Sequence, residues 1–121
     1  MSAHDGEDLL AAWLQDNPGG KAWEDRDGCW HGAVPVDTVR SLHTGPCVSP
    51  SALLAVLTIV MSAAAEVRLI EKEHPGWLAR RWSDGRWSAG FPRGEDEPLY
   101  ATAPDGPSLR AAIRRAMGGP S

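Results

Sequence analysis

Apolar positions recur at helical spacing in three stretches of the chain and alternate with polar ones between them. Residues 6–16, GEDLLAAWLQD, put Leu9, Leu10, Trp13 and Leu14 on one face, which predicts a short amphipathic helix. Asp5 can cap it, and Glu7 and Asp8 suit the positive end of the helix dipole. Pro18 and the glycines after it stop it. Residues 22–34 read as a hairpin around Asp27-Gly28, a two-residue turn that needs positive φ at both centres. Residues 36–43, VDTVRSLH, are expected as a short helix ended by Gly45 and Pro46.

The most apolar segment follows. Ser49 can cap a helix with Pro50 at its first position, and the pattern carries it over residues 50–73. From Ala52 to Ala65 nothing is charged and apolar residues lie all round, which predicts burial on most sides. Glu66 and Arg68 cut the run too short for a membrane span, so no membrane is expected. A second hairpin is centred on Asp84-Gly85. If that pair is the turn, Trp82 faces Trp87. Leu78, Arg80, Trp82, Trp87, Ala89 and Phe91 then cover the core, and Arg81, Ser83, Arg86 and Ser88 face water. Residues 92–98 read as a polar loop, LYATA as a third strand, and PSLRAAIRRAM as a last helix. That helix has an apolar stripe of Leu109, Ala112, Ile113, Ala116 and Met117, with Arg110, Arg114 and Arg115 facing away.

Laid on itself with an offset of 57 residues, the chain matches at Pro18/Pro75, Gly19/Gly76, Ala22/Ala79, Asp27/Asp84, Gly28/Gly85, Trp30/Trp87 and Pro35/Pro92. Turn formers recruit one another in any hairpin pair, but the ungapped spacing and the shared tryptophan favour a structural repeat. The expected fold class is therefore α+β, with a long central helix packed by two hairpin-bearing halves and an αββα duplication. At 121 residues the chain is expected to be one domain, with an N-terminal half (1–48), the central helix (49–74) and a C-terminal part (75–117). A pseudo-two-fold axis is the natural relation between such halves.

The C-terminal copy, PGWLARRWSDGRWSAGF with a strand and a helix after it, resembles a group of small proteins of GC-rich bacteria and their mobile elements. The resemblance spans residues 66–117 and rests on a Pro-Gly-Trp and a Gly-x-Trp. It implies a phage or mobile-element origin and brings no activity with it.

Composition narrows the chemistry. Residues 1–66 carry a net charge of −6 and residues 67–121 one of +2, giving −4 in all. An acidic whole argues against tight nonspecific DNA binding, while the basic C-terminal half keeps a weaker nucleic-acid reading open. An N-terminus without a basic region, together with two cysteines read as reduced, suggests a cytoplasmic protein. Six tryptophans in so short a chain either build a core poor in Phe and Tyr or form an aromatic surface.

Both cysteines sit in one stretch, DGCWHGAVPVDTVRSLHTGPC. Cys29, His31, His43 and Cys47 supply the two thiols and two imidazoles that tetrahedral zinc takes. Thr44-Gly45-Pro46 would break any helix holding His43 and Cys47 together, and no standard zinc spacing occurs. No metal is the preferred reading, that set the alternative, and a Cys29–Cys47 disulfide a third. Phosphate-loop, dinucleotide, nucleophile-elbow and zinc-protease motifs are absent, so neither a catalytic residue nor a cofactor is expected.

The sequence reading is thus a small non-enzymatic protein-interaction or regulatory accessory protein. Its partner is a protein, with self-association as a homodimer one form of this. Trp77, Arg81, Arg86 and Ser88 are the expected contact residues, since Trp and Arg favour interfaces. The second reading is a nucleic-acid module, because residues 50–117 run helix, three strands, helix, as in double-stranded-RNA-binding domains. It would use Arg81, Arg86, Arg110, Arg114 and Arg115 on phosphates. A zinc-binding protein is third.

Overall fold

A computed structural model of the chain describes residues 3–118. The elements run α1 (Ala3–Asp16), β1 (Lys21–Glu24), β2 (Trp30–Pro35), β3 (Ser41–His43), α2 (Pro50–Glu73), β4 (Leu78–Arg81), β5 (Trp87–Arg93), β6 (Asp96–Ala103) and α3 (Gly106–Ala116). The class is α+β, with two antiparallel three-stranded sheets, β1-β2-β3 and β4-β5-β6, and a long helix between them in sequence. The chain divides into two compact units, and the boundary falls inside α2, between Ser62 and Ala63. Each unit thus holds one sheet, one half of α2 and one further helix.

α2 starts as its sequence dictates. The Ser49 hydroxyl accepts the Ala52 N–H at 3.1 Å, and the Ser49 carbonyl accepts the Leu53 N–H at 3.0 Å. Its burial differs from expectation. Leu53, Leu57, Val60, Ala64, Val67 and Ile70 form one fully buried stripe, while Ile59, Met61 and Leu69 are exposed. Ala55, Thr58, Ser62 and Ala65 share the exposed side. They are small, so leaving them in water forgoes little apolar burial. By length and composition α2 is long enough and apolar enough to cross a membrane, contrary to the reading of Glu66 and Arg68. Its buried stripe is nevertheless what a core helix presents.

In the N-terminal unit, Leu10 is buried but Leu9 is 58% exposed, so the apolar face of α1 is narrower than its sequence suggests. Asp5 lies within α1 rather than at its cap, and its side chain is outside the described residues. The expected helix over 36–43 is instead a turn leading into β3. Asp37 accepts the N–H groups of Val39 and Arg40 at 2.9 and 2.8 Å and so closes the turn with its side chain. Leu42 then pairs with Val34 and is buried. The inner face of this sheet packs on α2. A Cβ at Gly32 would lie 2.7 Å from Leu57 and 3.0 Å from Leu53, so the sheet sits close enough to exclude one.

In the C-terminal unit, the polar loop expected over 92–98 is a tight turn at Gly94-Glu95, where β5 runs on to Arg93 and β6 starts at Asp96. The pairing slips between Phe91 and Arg93. Pro92 lies at that slip, where a residue without an N–H costs no ladder bond. α3 is capped by Asp105, whose carboxylate accepts the Ser108 N–H at 2.8 Å, and Leu109 and Ile113 are fully buried.

The two sheets share one register. Lys21 pairs with Ala33, Ala22 with Gly32, Trp23 with His31 and Glu24 with Trp30. Adding 57 to each gives the observed pairs Leu78–Gly90, Ala79–Ala89, Arg80–Ser88 and Arg81–Trp87. The third strands correspond too, Ala33–His43 with Gly90–Tyr100. So do the loop bonds. Asn17 N–H to the Trp13 carbonyl and Gly20 N–H to the Asn17 carbonyl recur as His74 to Ile70 and Trp77 to His74.

Candidate functional site

The hairpin turn decides which side chains of the C-terminal sheet reach solvent. Its closing bond runs from Trp82 N–H to the Arg86 carbonyl at 2.7 Å, with Gly85 N–H to the Trp82 carbonyl at 2.9 Å inside it. The loop is therefore Ser83-Asp84-Gly85, three residues long, with Gly85 at φ +94°. A three-residue loop of this kind ends in a left-handed glycine, and it shifts the pairing relative to a two-residue turn. The N-terminal hairpin does the same, with Asp25 N–H bonded to the Cys29 carbonyl and Gly28 at φ +82°.

This corrects the sequence reading of β4. Trp82 does not face Trp87; Arg81 does. A shift of one residue exchanges the faces of a strand. Ala79 and Arg81 therefore lie with Trp87 and Ala89 toward the core, while Leu78, Arg80 and Trp82 turn outward. The expected assignment holds for β5, where Trp87 and Ala89 are buried.

The outer face is built in two rows. Arg80, Ser88 and Thr102 are paired across the three strands, as are Leu78, Gly90 and Tyr100. The Arg80 guanidinium lies 3.8 Å from the centre of the Trp82 ring, and Trp82 Nε1–H donates to Ser88 Oγ at 2.8 Å. Arg86 approaches the same ring at 5.5 Å and pairs with Asp84 at 2.8 Å. The Arg86 N–H and guanidinium hold the Asp84 carboxyl below its ordinary range. Tyr100 lies beside Gly90, where an added Cβ would sit 3.6 Å from its ring. Leu78, Trp82 and Tyr100 are 55%, 37% and 73% exposed. Together they form an amphipathic surface in which Trp82 is held by Arg80, Arg86 and Ser88.

The contact residues read from sequence divide accordingly. Arg86 and Ser88 belong to this face. Arg81 lies on the other side of β4, and Trp77 is 1% exposed, packed against Phe91 with ring centres 5.6 Å apart. Arg80, Trp82 and Tyr100, which the sequence reading did not single out, lie on this face. The phosphate-binding set is not brought onto one face either. Arg110 does not face away from its unit but pairs with Glu66 at 3.1 Å and Glu73 at 3.8 Å, whereas Arg114 and Arg115 are exposed.

On the N-terminal sheet the cysteine–histidine set takes other partners. His31 Nε2–H donates to Asp25 at 2.7 Å, and that bond is the main reason the Asp25 carboxyl lies below its usual range. Trp23 stacks on His31 at 5.7 Å and meets His43 edge-on at 6.4 Å. Cys47 pairs through its backbone with Trp30, and Cys29 and Cys47 are free thiols, so they form no disulfide. Among the described residues no group of three or more His, Cys, Asp or Glu could hold a metal ion. Cys29, His31, His43 and Cys47 are thus not assembled into a tetrahedral site.

Comparison with protein-family models, with curated proteins and with solved structures gives no match to this chain.

Proposed function

We propose that this is a small non-enzymatic interaction protein, an accessory or regulatory factor that docks a protein partner on the outer face of β4-β5-β6. The observation that carries the reading is the Arg80–Trp82–Ser88 stack beside exposed Leu78 and Tyr100. Trp, Tyr and Arg dominate the binding energy of protein interfaces, and rigid side chains lose little entropy on docking. A protein partner is favoured over nucleic acid because Arg81 lies on the opposite side of β4 from Arg86 and Arg110 pairs with Glu66 and Glu73. The two free thiols suit a reducing, cytoplasmic setting. The likeness of residues 66–117 to small proteins of mobile elements supports a phage or mobile-element origin.

The test uses the full chain as bait in cells of its source, beside two variants. One carries Trp82→Ser with Tyr100→Ser; the other carries Trp23→Ser on the N-terminal sheet. A single partner held by the native chain and by Trp23→Ser, but lost from the double variant, is the expected result. Light scattering over a concentration series on the same three proteins detects the case in which the partner is a second copy. A partner retained by the double variant would overturn the assignment. So would a salt-sensitive shift of duplex RNA that Arg86→Glu removes.

A further inference from the structure

The N-terminal unit has an open cavity of about 290 Å³ between α1 and the inner face of its sheet, apart from the surface described above. Leu10, Ala11, Leu14, Ala22 and Trp30 give it apolar walls, and Glu7 and Glu24 stand at it from the helix and the strand. Trp30 is half-buried, so part of its ring remains open. Neither glutamate makes a hydrogen bond or ion pair among the described residues. With no partner among the described residues, two carboxylates at an aromatic wall make a site of one sign of charge, with a ring able to take a cation on its face.

The C-terminal unit differs at the corresponding positions. At the offset of 57, Trp30 becomes Trp87 and Glu24 becomes Arg81, while Leu14 becomes Glu71. That unit thus supplies both signs of charge from its own chain, and its tryptophan is only 7% exposed. The N-terminal unit supplies the two acids, the open ring and no base at the matching positions. The cavity is at the small end for ligand sites, which run from roughly 300 Å³ upward. It is therefore suited to one long side chain rather than to a cofactor.

We propose that this cavity receives an arginine side chain of a protein partner, with its stem along Leu10 and Leu14 and its guanidinium on Trp30 between Glu7 and Glu24. The inference is independent of the C-terminal docking face, and either can fail alone.

The experiment follows the Trp30 indole N–H by NMR in the full chain. Three probes are titrated: a capped alanine peptide with one arginine, the same peptide with citrulline in its place, and n-butylguanidinium. The arginine peptide is expected to give a saturable shift with affinity on the order of millimolar, typical of a single weak contact. It should bind at least as well as n-butylguanidinium and weaken with salt, and the citrulline peptide should not bind. Glu24→Gln and Glu7→Gln should each weaken it severalfold, and the remote Glu97→Gln should not. Equal binding of the citrulline peptide, an unaffected Glu24→Gln, or no saturable shift would overturn the proposal. Tighter binding of n-butylguanidinium than of the peptide would overturn it in favour of a small-molecule cation site.

Discussion

The two units use the same strand register, the same three-residue hairpin loop and the same loop bonds after the leading helix, yet they fill that scaffold differently. In the N-terminal unit a tryptophan stands on the helix, Trp13, and glycine on the loop. A Cβ at Gly20 would lie 2.5 Å from the Trp13 ring. In the C-terminal unit the sizes are exchanged, with Ile70 on the helix and fully buried Trp77 on the loop. The outer faces differ as well. Trp23, His31 and His43 cluster on one sheet, and Arg80, Trp82 and Tyr100 occupy the other. Register is thus set by backbone bonds and turn length, whereas the outward side chains are free to take separate roles.

The exchange of bulk offers the largest test. Trp77→Ala removes a buried ring and is expected to cost about 3–5 kcal/mol. Trp13→Ile and Gly20→Trp should each destabilise by ~2 kcal/mol or more, one leaving a void and the other a clash. The double variant copies the C-terminal arrangement and should recover part of the loss, a coupling of about 1–3 kcal/mol in urea unfolding. Strict additivity would break the comparison.

Next comes a difference between the units. Arg110 bridges Glu66 and Glu73 in the C-terminal unit, where the N-terminal counterpart is Leu53. Arg110→Ala should cost about 1 kcal/mol, less as salt rises.

The helix caps are smaller and distinguishable by pH. Ser49→Ala should cost ~1 kcal/mol near neutrality, and Asp105→Ala should destabilise as well. The Ser108 N–H holds the Asp105 carboxyl below its ordinary value. Its stabilisation is therefore present above the unfolded value, near ~3.9, and is lost as pH falls through the lower folded one. In acid the cost of Asp105→Ala should fall, while that of Ser49→Ala persists. Smallest of all, Tyr100→Ser should alter stability by no more than about 0.5 kcal/mol, as outward residues do.

Much of this was legible from residues alone. The span of α2, its Ser49 cap, Pro107 at the start of α3 and the 57-residue offset follow from local propensity and spacing. What was missed depends on geometry that spacing does not carry. Asp-Gly fits both a two-residue turn and the end of a three-residue one, and only the closing bond from Trp82 to Arg86 decides between them. That one-residue difference moved Arg81 inward and brought out Arg80 and Trp82. β3 was hidden because its three residues are too short for alternation to register, and Asp37 imitates a helix cap. Nor does any periodicity signal that Arg110 would be claimed by two glutamates.

Cross-strand NOEs test the common register most directly. The closing bonds make Ala79/Ala89 and Ala22/Gly32 non-hydrogen-bonded pairs, whose Hα atoms lie closest. Strong Hα–Hα contacts within both pairs are the expected result. Contacts from Arg80 to Ala89, or from Trp23 to Gly32, would mean a two-residue turn and the opposite faces outward, and would contradict the account.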